Sequence, residues 1–197
     1  MKPRELLLAA CVPLTWGLGF TLSKAALAEF PPLMLMSMRF FIAALILVWF
    51  VPVPRNSLKD LFWIALVGST IQYGLTFTGL SMIDASLAII VVHLEVPFGV
   101  LLAIVFFRER PGFQRLAGMA ISFSGILLIG GLPSVEGQLF AMLLTGSGAM
   151  VWAIGQIMYK RISEHVTGLS AVAWIGVMAG PQMLVGSMIF ENGQVEA

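Results

Sequence analysis

Charge is scarce in this sequence. Of its 197 residues, 11% are Asp, Glu, Lys or Arg, under half of the roughly 25% usual in a soluble globular domain. A soluble chain of this length could bury a core but could not cover it with so few charges. The net charge is +1 and no Lys/Arg block marks a phosphate-tracking face, which argues against a nucleic-acid partner. Cysteine is nearly missing too: Cys11 alone rules out an internal disulfide and has no metal-ligand partner at useful spacing. Histidine occurs twice, as His93 and His165. There is no His-x-x-x-His or His-Glu-x-x-His zinc pattern, no Gly-x-Ser-x-Gly elbow and no phosphate-cradling glycine loop. No metal or cofactor is expected, and an intramembrane enzyme is a minor alternative.

What the chain has in abundance is apolar sequence: 59% hydrophobic residues and a mean hydropathy of +0.97. It reads as an all-α, polytopic membrane helix bundle with the lipid bilayer as its solvent. A bilayer core about 30 Å thick asks for about 20 mostly apolar residues per helix. On that template about seven spans are predicted, over 5–27, 33–51, 61–82, 85–107, 113–131, 138–160 and 168–190. The breaks between them carry proline, glycine and charge, as in "EFPP" (29–32), "PVPRNSLKD" (52–60), "RERPG" (108–112), "GGLPSVEG" (130–137) and "KRISEHVTG" (160–168). Near Asp84 only "SMIDAS" separates two apolar runs. "LAAC" at Leu8 to Cys11 resembles a lipoprotein cleavage box, but the run before it is too short for a signal h-region. Cys11 reads as an ordinary helix residue.

Basic residues set the orientation. Lys2, Arg4, Arg55, Lys59, Arg108, Arg110, Arg115, Lys160 and Arg161 fall on one side of the predicted spans. Glu29, Asp84, Glu136, Glu191 and Glu196 fall on the other. The N-terminus is therefore expected in the cytoplasm, with Glu109 bonding locally inside the "RER" loop.

An internal repeat is expected from two segments. In "LTWGLGFTLSKAALAE" (14–29) and "MVWAIGQIMYKRISEH" (150–165), Trp16 matches Trp152, Gly19 matches Gly155 and Lys24 matches Lys160 at a single offset. An odd number of spans, five, separates the two starts, so the second copy enters the membrane from the opposite side. Inverted repeats are common in secondary transporters, whose substrate site lies near the midplane where the repeats meet. "LTWGLGFTLSKAAL", "PPLMLMSMRF" and "LEVPFGVLLAIVFFRERPGFQRLAGMAISFSGILLI" (94–129) closely resemble the EamA family of the drug/metabolite transporter superfamily. The resemblance implies five-plus-five helices in two inverted repeats, a small-molecule substrate, and export of small metabolites, amino acids or drugs across the bacterial inner membrane by alternating access. On that pattern residues 1–131 form the first repeat with five helices, and 138–197 begin the second with two. About three helices of the second repeat are then expected to be missing. The chain would be a fragment or a non-transporting subunit, or would complete itself by self-association.

Polar groups inside the bilayer cost roughly 2.5–3.5 kcal/mol for a central Asp, Lys or Arg, so they usually face the bundle interior. Glu95 lies about 15 Å into the fourth span at 1.5 Å per residue, near the midplane. It reads as a binding or proton-titrating carboxylate, or as a structural partner of Arg39, about 9 Å into the second span. His93 projects about 200° away from Glu95 and reads as a pathway candidate or as a helix histidine bonded to a backbone carbonyl. Pro97 removes the N–H that would bond the carbonyl of His93, loosening the helix at Glu95 and suiting a hinge. Ser69, Gln72, Thr76 and Gly79 form a polar stripe that lines a cavity or bonds to a neighbouring helix. Trp16 and Trp152 sit well inside their spans, where an indole can stack on a substrate, and Gln156 shares a face with Trp152. Gly118 and Ser122 read as a small-residue packing pair.

Overall fold

The structure, a computed structural model, describes residues 3–108, 110–130 and 137–192. Lys2, Glu109, Glu136 and Glu196, and the side chain of Arg4, lie outside the described residues. Every regular element among the described residues is helical, as a chain in lipid requires if each backbone N–H and C=O is to be satisfied within its own segment. The helices are α1 (Pro3–Ala26), α2 (Pro32–Leu47), α3 (Leu58–Ala65), α4 (Gln72–Met82), α5 (Ala85–Val92), α6 (Glu95–Phe107), α7 (Phe113–Gly130), α8 (Leu139–Lys160) and α9 (Gly168–Phe190). A 3-10 turn at Val48–Phe50 prolongs α2, another at Arg55–Ser57 leads into α3, and a π-helical turn at Leu66–Ile71 joins α3 to α4.

Among the described residues, five stretches are long and apolar enough to cross a membrane: Pro32–Phe50, Arg55–Met82, Ala85–Phe107, Leu139–Lys160 and Gly168–Phe190. The other two expected spans are occupied by α1 and by the shorter apolar helix α7. Large apolar side chains cover the outside, among them Leu18, Ile42, Ile46, Val105, Leu127 and Ile189. Such a surface is stable against acyl chains and not against water. The chain is a multi-pass membrane protein.

The turn signals act as their chemistry dictates. Pro31 has φ −58° and ψ 145°, and Pro32 opens α2 at a position whose N–H has no helical acceptor. Thr167 caps α9, its hydroxyl accepting from Ser170 N at 3.3 Å. Arg108 ends α6 in the left-handed region, φ 52° and ψ 31°.

Helix α8 is the centre of the bundle, packed against α4, α5, α6 and the π-helical turn, while α2 lies along α9. Small residues permit that proximity. A Cβ on Gly79 would strike the Thr145 hydroxyl, and one on Gly148 would strike that of Thr76. Gly118 and Ser122 differ from the packing pair expected. A Cβ on Gly118 would meet nothing within 4 Å, and Ser122 Oγ donates to the Gly118 carbonyl of its own helix. Cross-links tie the ends of the bundle. At one end Lys24 Nζ donates to the carbonyls of Leu80 and Ser81, both at 2.9 Å, and Glu191 accepts from Leu33 N and Met34 N. At the other, Ser170 Oγ and Trp174 Nε1 both donate to the Pro52 carbonyl at 3.1 Å.

Candidate functional site

The expected weakness around Pro97 is a break. Helix α5 stops at Val92, His93 and Leu94 form a turn, and α6 starts at Glu95. Leu94 N bonds to the Val91 carbonyl at 3.0 Å and Val96 N to that of His93 at 3.2 Å, tighter pairings than the i−4 ladder. Proline supplies no N–H to carry the ladder through. The consequence is electrostatic as well as geometric: Glu95 sits in the first turn of a half-helix, where the helix dipole favours negative charge.

Glu95 is half-buried and lines a cavity of about 100 Å³ with Trp16 of α1, Arg39 of α2, Gln72 and Thr76 of α4, and Trp152 of α8. Six residues singled out in the sequence thus meet across five helices. Their bonding is incomplete. Arg39 Nη1 donates to Ser23 Oγ at 2.9 Å and to Met36 Sδ at 3.7 Å, and no ion pair joins it to Glu95. Gln72 Nε2 donates to Thr76 Oγ1 at 3.0 Å, while Gln72 Oε1 is buried with no partner among the described residues. An unmet buried acceptor costs about 1–3 kcal/mol, so the site retains a polar group that the resting fold does not need.

Aromatic rings build the wall behind these groups. Tyr73 stacks on Phe77 at 5.4 Å, Phe77 on Phe20 at 5.8 Å, and the Arg39 guanidinium lies 5.9 Å from the Phe77 ring centroid. Rings at this spacing pack rigidly and hold a cation over a π face.

A larger cavity of about 660 Å³ adjoins the first and shares Glu95 and Trp152 with it; Pro97, Gln156 and Arg115 also line it. Trp152, Gln156 and Ser69 meet again in a third cavity of about 330 Å³. The polar stripe therefore serves both expected roles: Gln72 and Thr76 line a cavity, Ser69 another, and Gly79 packs on α8. His93 lies apart. It is exposed, its Nδ1 stands 2.7 Å from the Ile89 carbonyl, and its ring meets Trp16 edge-on at 6.4 Å. Sequence reading missed Tyr73, which lines the small cavity, and Ser23, which holds Arg39. The i, i+4 spacing of Tyr73 and Phe77 was a signal for the first; nothing local marked the second. Chemically, the arrangement offers separate opposite charges, spare hydrogen-bond capacity and aromatic walls. Those suit holding a small polar molecule.

Known proteins of similar sequence carry transporter names. A protein of Escherichia coli (strain K12) named "Probable amino-acid metabolite efflux pump" is 33% identical over 98% of this chain and 66% of its own length. Its namesake in Salmonella typhimurium is 31% identical over the same shares. A Bacillus subtilis protein named "Uncharacterized transporter YvbV" is 32% identical over 87% of this chain and 59% of its own. The chain thus spans about two thirds or less of the length of these relatives. No solved structure matches it significantly. The EamA-like transporter family profile matches residues 3–131, which contain α1 to α7 and nearly all of the charged and aromatic cavity lining, and the chain belongs to that family.

Proposed function

We propose that this chain is part of a secondary transporter that exports small metabolites, amino acids or drugs across the bacterial inner membrane by alternating access. The observation that supports it most is the meeting of Trp16, Arg39, Gln72, Thr76, Glu95 and Trp152 around one cavity, beside the break between α5 and α6. Discontinuous helices at the midplane recur in transporter sites because their free backbone groups and dipoles face the cargo. In this reading Pro97 is the hinge, Glu95 binds substrate or a proton, and residues 1–131 and 138–197 belong to two inverted repeats. Trp16 and Trp152, matched in the two repeat segments, line the same cavity, which supports that division. The N-terminus is cytoplasmic and the basic end of the bundle faces the cytoplasm.

The relatives' printed names favour amino-acid metabolites over drugs as cargo. A non-transporting membrane subunit or fragment is the second reading. Reconstituted vesicles decide between them. A complete transporter carrying this segment should release preloaded amino acids, and Glu95→Gln should cut the rate at least tenfold with expression nearly intact. Full transport by Glu95→Gln would remove Glu95 from the pathway. Release that the 197-residue chain cannot support alone, but supports with added helices, selects the second reading.

A further inference from the structure

We propose that the small cavity recognises a zwitterionic α-amino acid by both of its charges, Arg39 taking the carboxylate and Glu95 with Gln72 taking the ammonium. This rests on the reading of Glu95 as a pathway residue and adds the chemistry of what it meets there.

Three groups face the cavity with capacity unspent. The guanidinium has five N–H donors in a planar fork suited to a carboxylate, and the fold engages only Nη1. The Glu95 carboxylate has no hydrogen-bond partner among the described residues. Gln72 is 7% exposed, lines the cavity, and its Oε1 is unpartnered. An ammonium carries three donors and no acceptor, so two acceptors at one pole match it.

Opposite charges on one cavity without an ion pair between them define what fits. A simple anion would satisfy Arg39 and face Glu95 across the cavity; a simple amine would do the reverse. Either leaves one of the two charges that line the cavity without a partner in the bound state. An α-amino acid carries both charges one carbon apart. Tyr73, Arg39 and Glu95 line the same cavity, so the two poles border the same small space. That space, about 100 Å³, limits the side chain to a small one unless Trp152 moves aside towards the 660 Å³ cavity.

Binding measured on the full chain in lipid nanodiscs tests this without transport, using Trp16 and Trp152 fluorescence with alanine, ethylamine and propionate as probes. Alanine should bind at least tenfold more tightly than either single-charge probe. Arg39→Gln should bring alanine down to the level of ethylamine while leaving ethylamine within twofold, and Glu95→Gln should bring it down to propionate. Arg39→Lys, which keeps the charge, should retain alanine within about tenfold and stands in if Arg39→Gln does not fold. A merely structural role for either residue would weaken all three probes alike. Equal binding of the three probes, binding of none, or a parallel loss in the variants overturns the proposal. Selective alanine binding by a protein that fails to move amino acids in vesicles overturns the transport reading and leaves this one standing.

Discussion

Gly68 and Gly155 bring the π-helical turn and α8 into backbone contact: a Cβ on Gly155 would stand 2.6 Å from the Gly68 Cα, and one on Gly68 would stand 3.1 Å from the Gly155 Cα. Backbone cannot swing away as a side chain does. Gly155→Ala should therefore push α8 off the turn and destabilise the protein by about 1–3 kcal/mol, the usual range for overpacking. Thermal unfolding in detergent reads it, and an unchanged midpoint would mean that the helices separate freely here. Gly17→Ala, where a Cβ meets nothing within 4 Å, is the control and should cost little.

Lys24 closes the opposite end of the bundle by donating to two carbonyls in the last turn of α4. A cation at a helix C-terminus is stabilising by about 0.3–1 kcal/mol, and by up to about 2 when partly buried. Lys24→Met should lose that amount and Lys24→Arg should keep most of it. Equal midpoints for Lys24→Met and the parent would show the contact to be idle.

Gln72 trades stability for use. Replacing it with Met removes the unpartnered Oε1 and keeps the side chain's length. Burying an apolar isostere in place of an unmet acceptor is nearly neutral or stabilising, so Gln72→Met should unfold at the same temperature or higher. Its affinity for alanine should fall at least fivefold. A variant that loses stability by more than about 1 kcal/mol would show that the Gln72–Thr76 bond matters more than the orphaned oxygen.

The membrane orientation is open to direct chemical test. Cys11 is free and exposed, so it is first replaced by Ser. Asp84→Cys should then react with an impermeant maleimide added to intact cells, and Arg110→Cys should react only after the membrane is opened. Labelling of position 110 from outside would reverse the orientation.

The helix boundaries were legible because bilayer thickness and turn chemistry are local constraints. The spans expected over 138–160 and 168–190 are Leu139–Lys160 and Gly168–Phe190. The interruption near Pro97 was legible for the same reason, a missing N–H being a property of one residue. What the sequence could not disclose was choice of neighbour. Periodicity put Gly118 and Ser122 on one face but did not say that this face borders a cavity instead of packing on a helix. Ser23 reaches Arg39 across sixteen residues of chain and two helices, a match made by packing alone. The π-helical turn at Leu66–Ile71 carries no proline and left no mark in the pattern. It lies where α3 packs on α9, α4 packs on α8, and the turn itself touches both α8 and α9.

Trp152 is a wall of three cavities at once, those of about 100, 330 and 660 Å³. The chambers are thus not independent volumes. Any turn of its χ1 that widens one takes space from another, and the indole acts as a shared shutter.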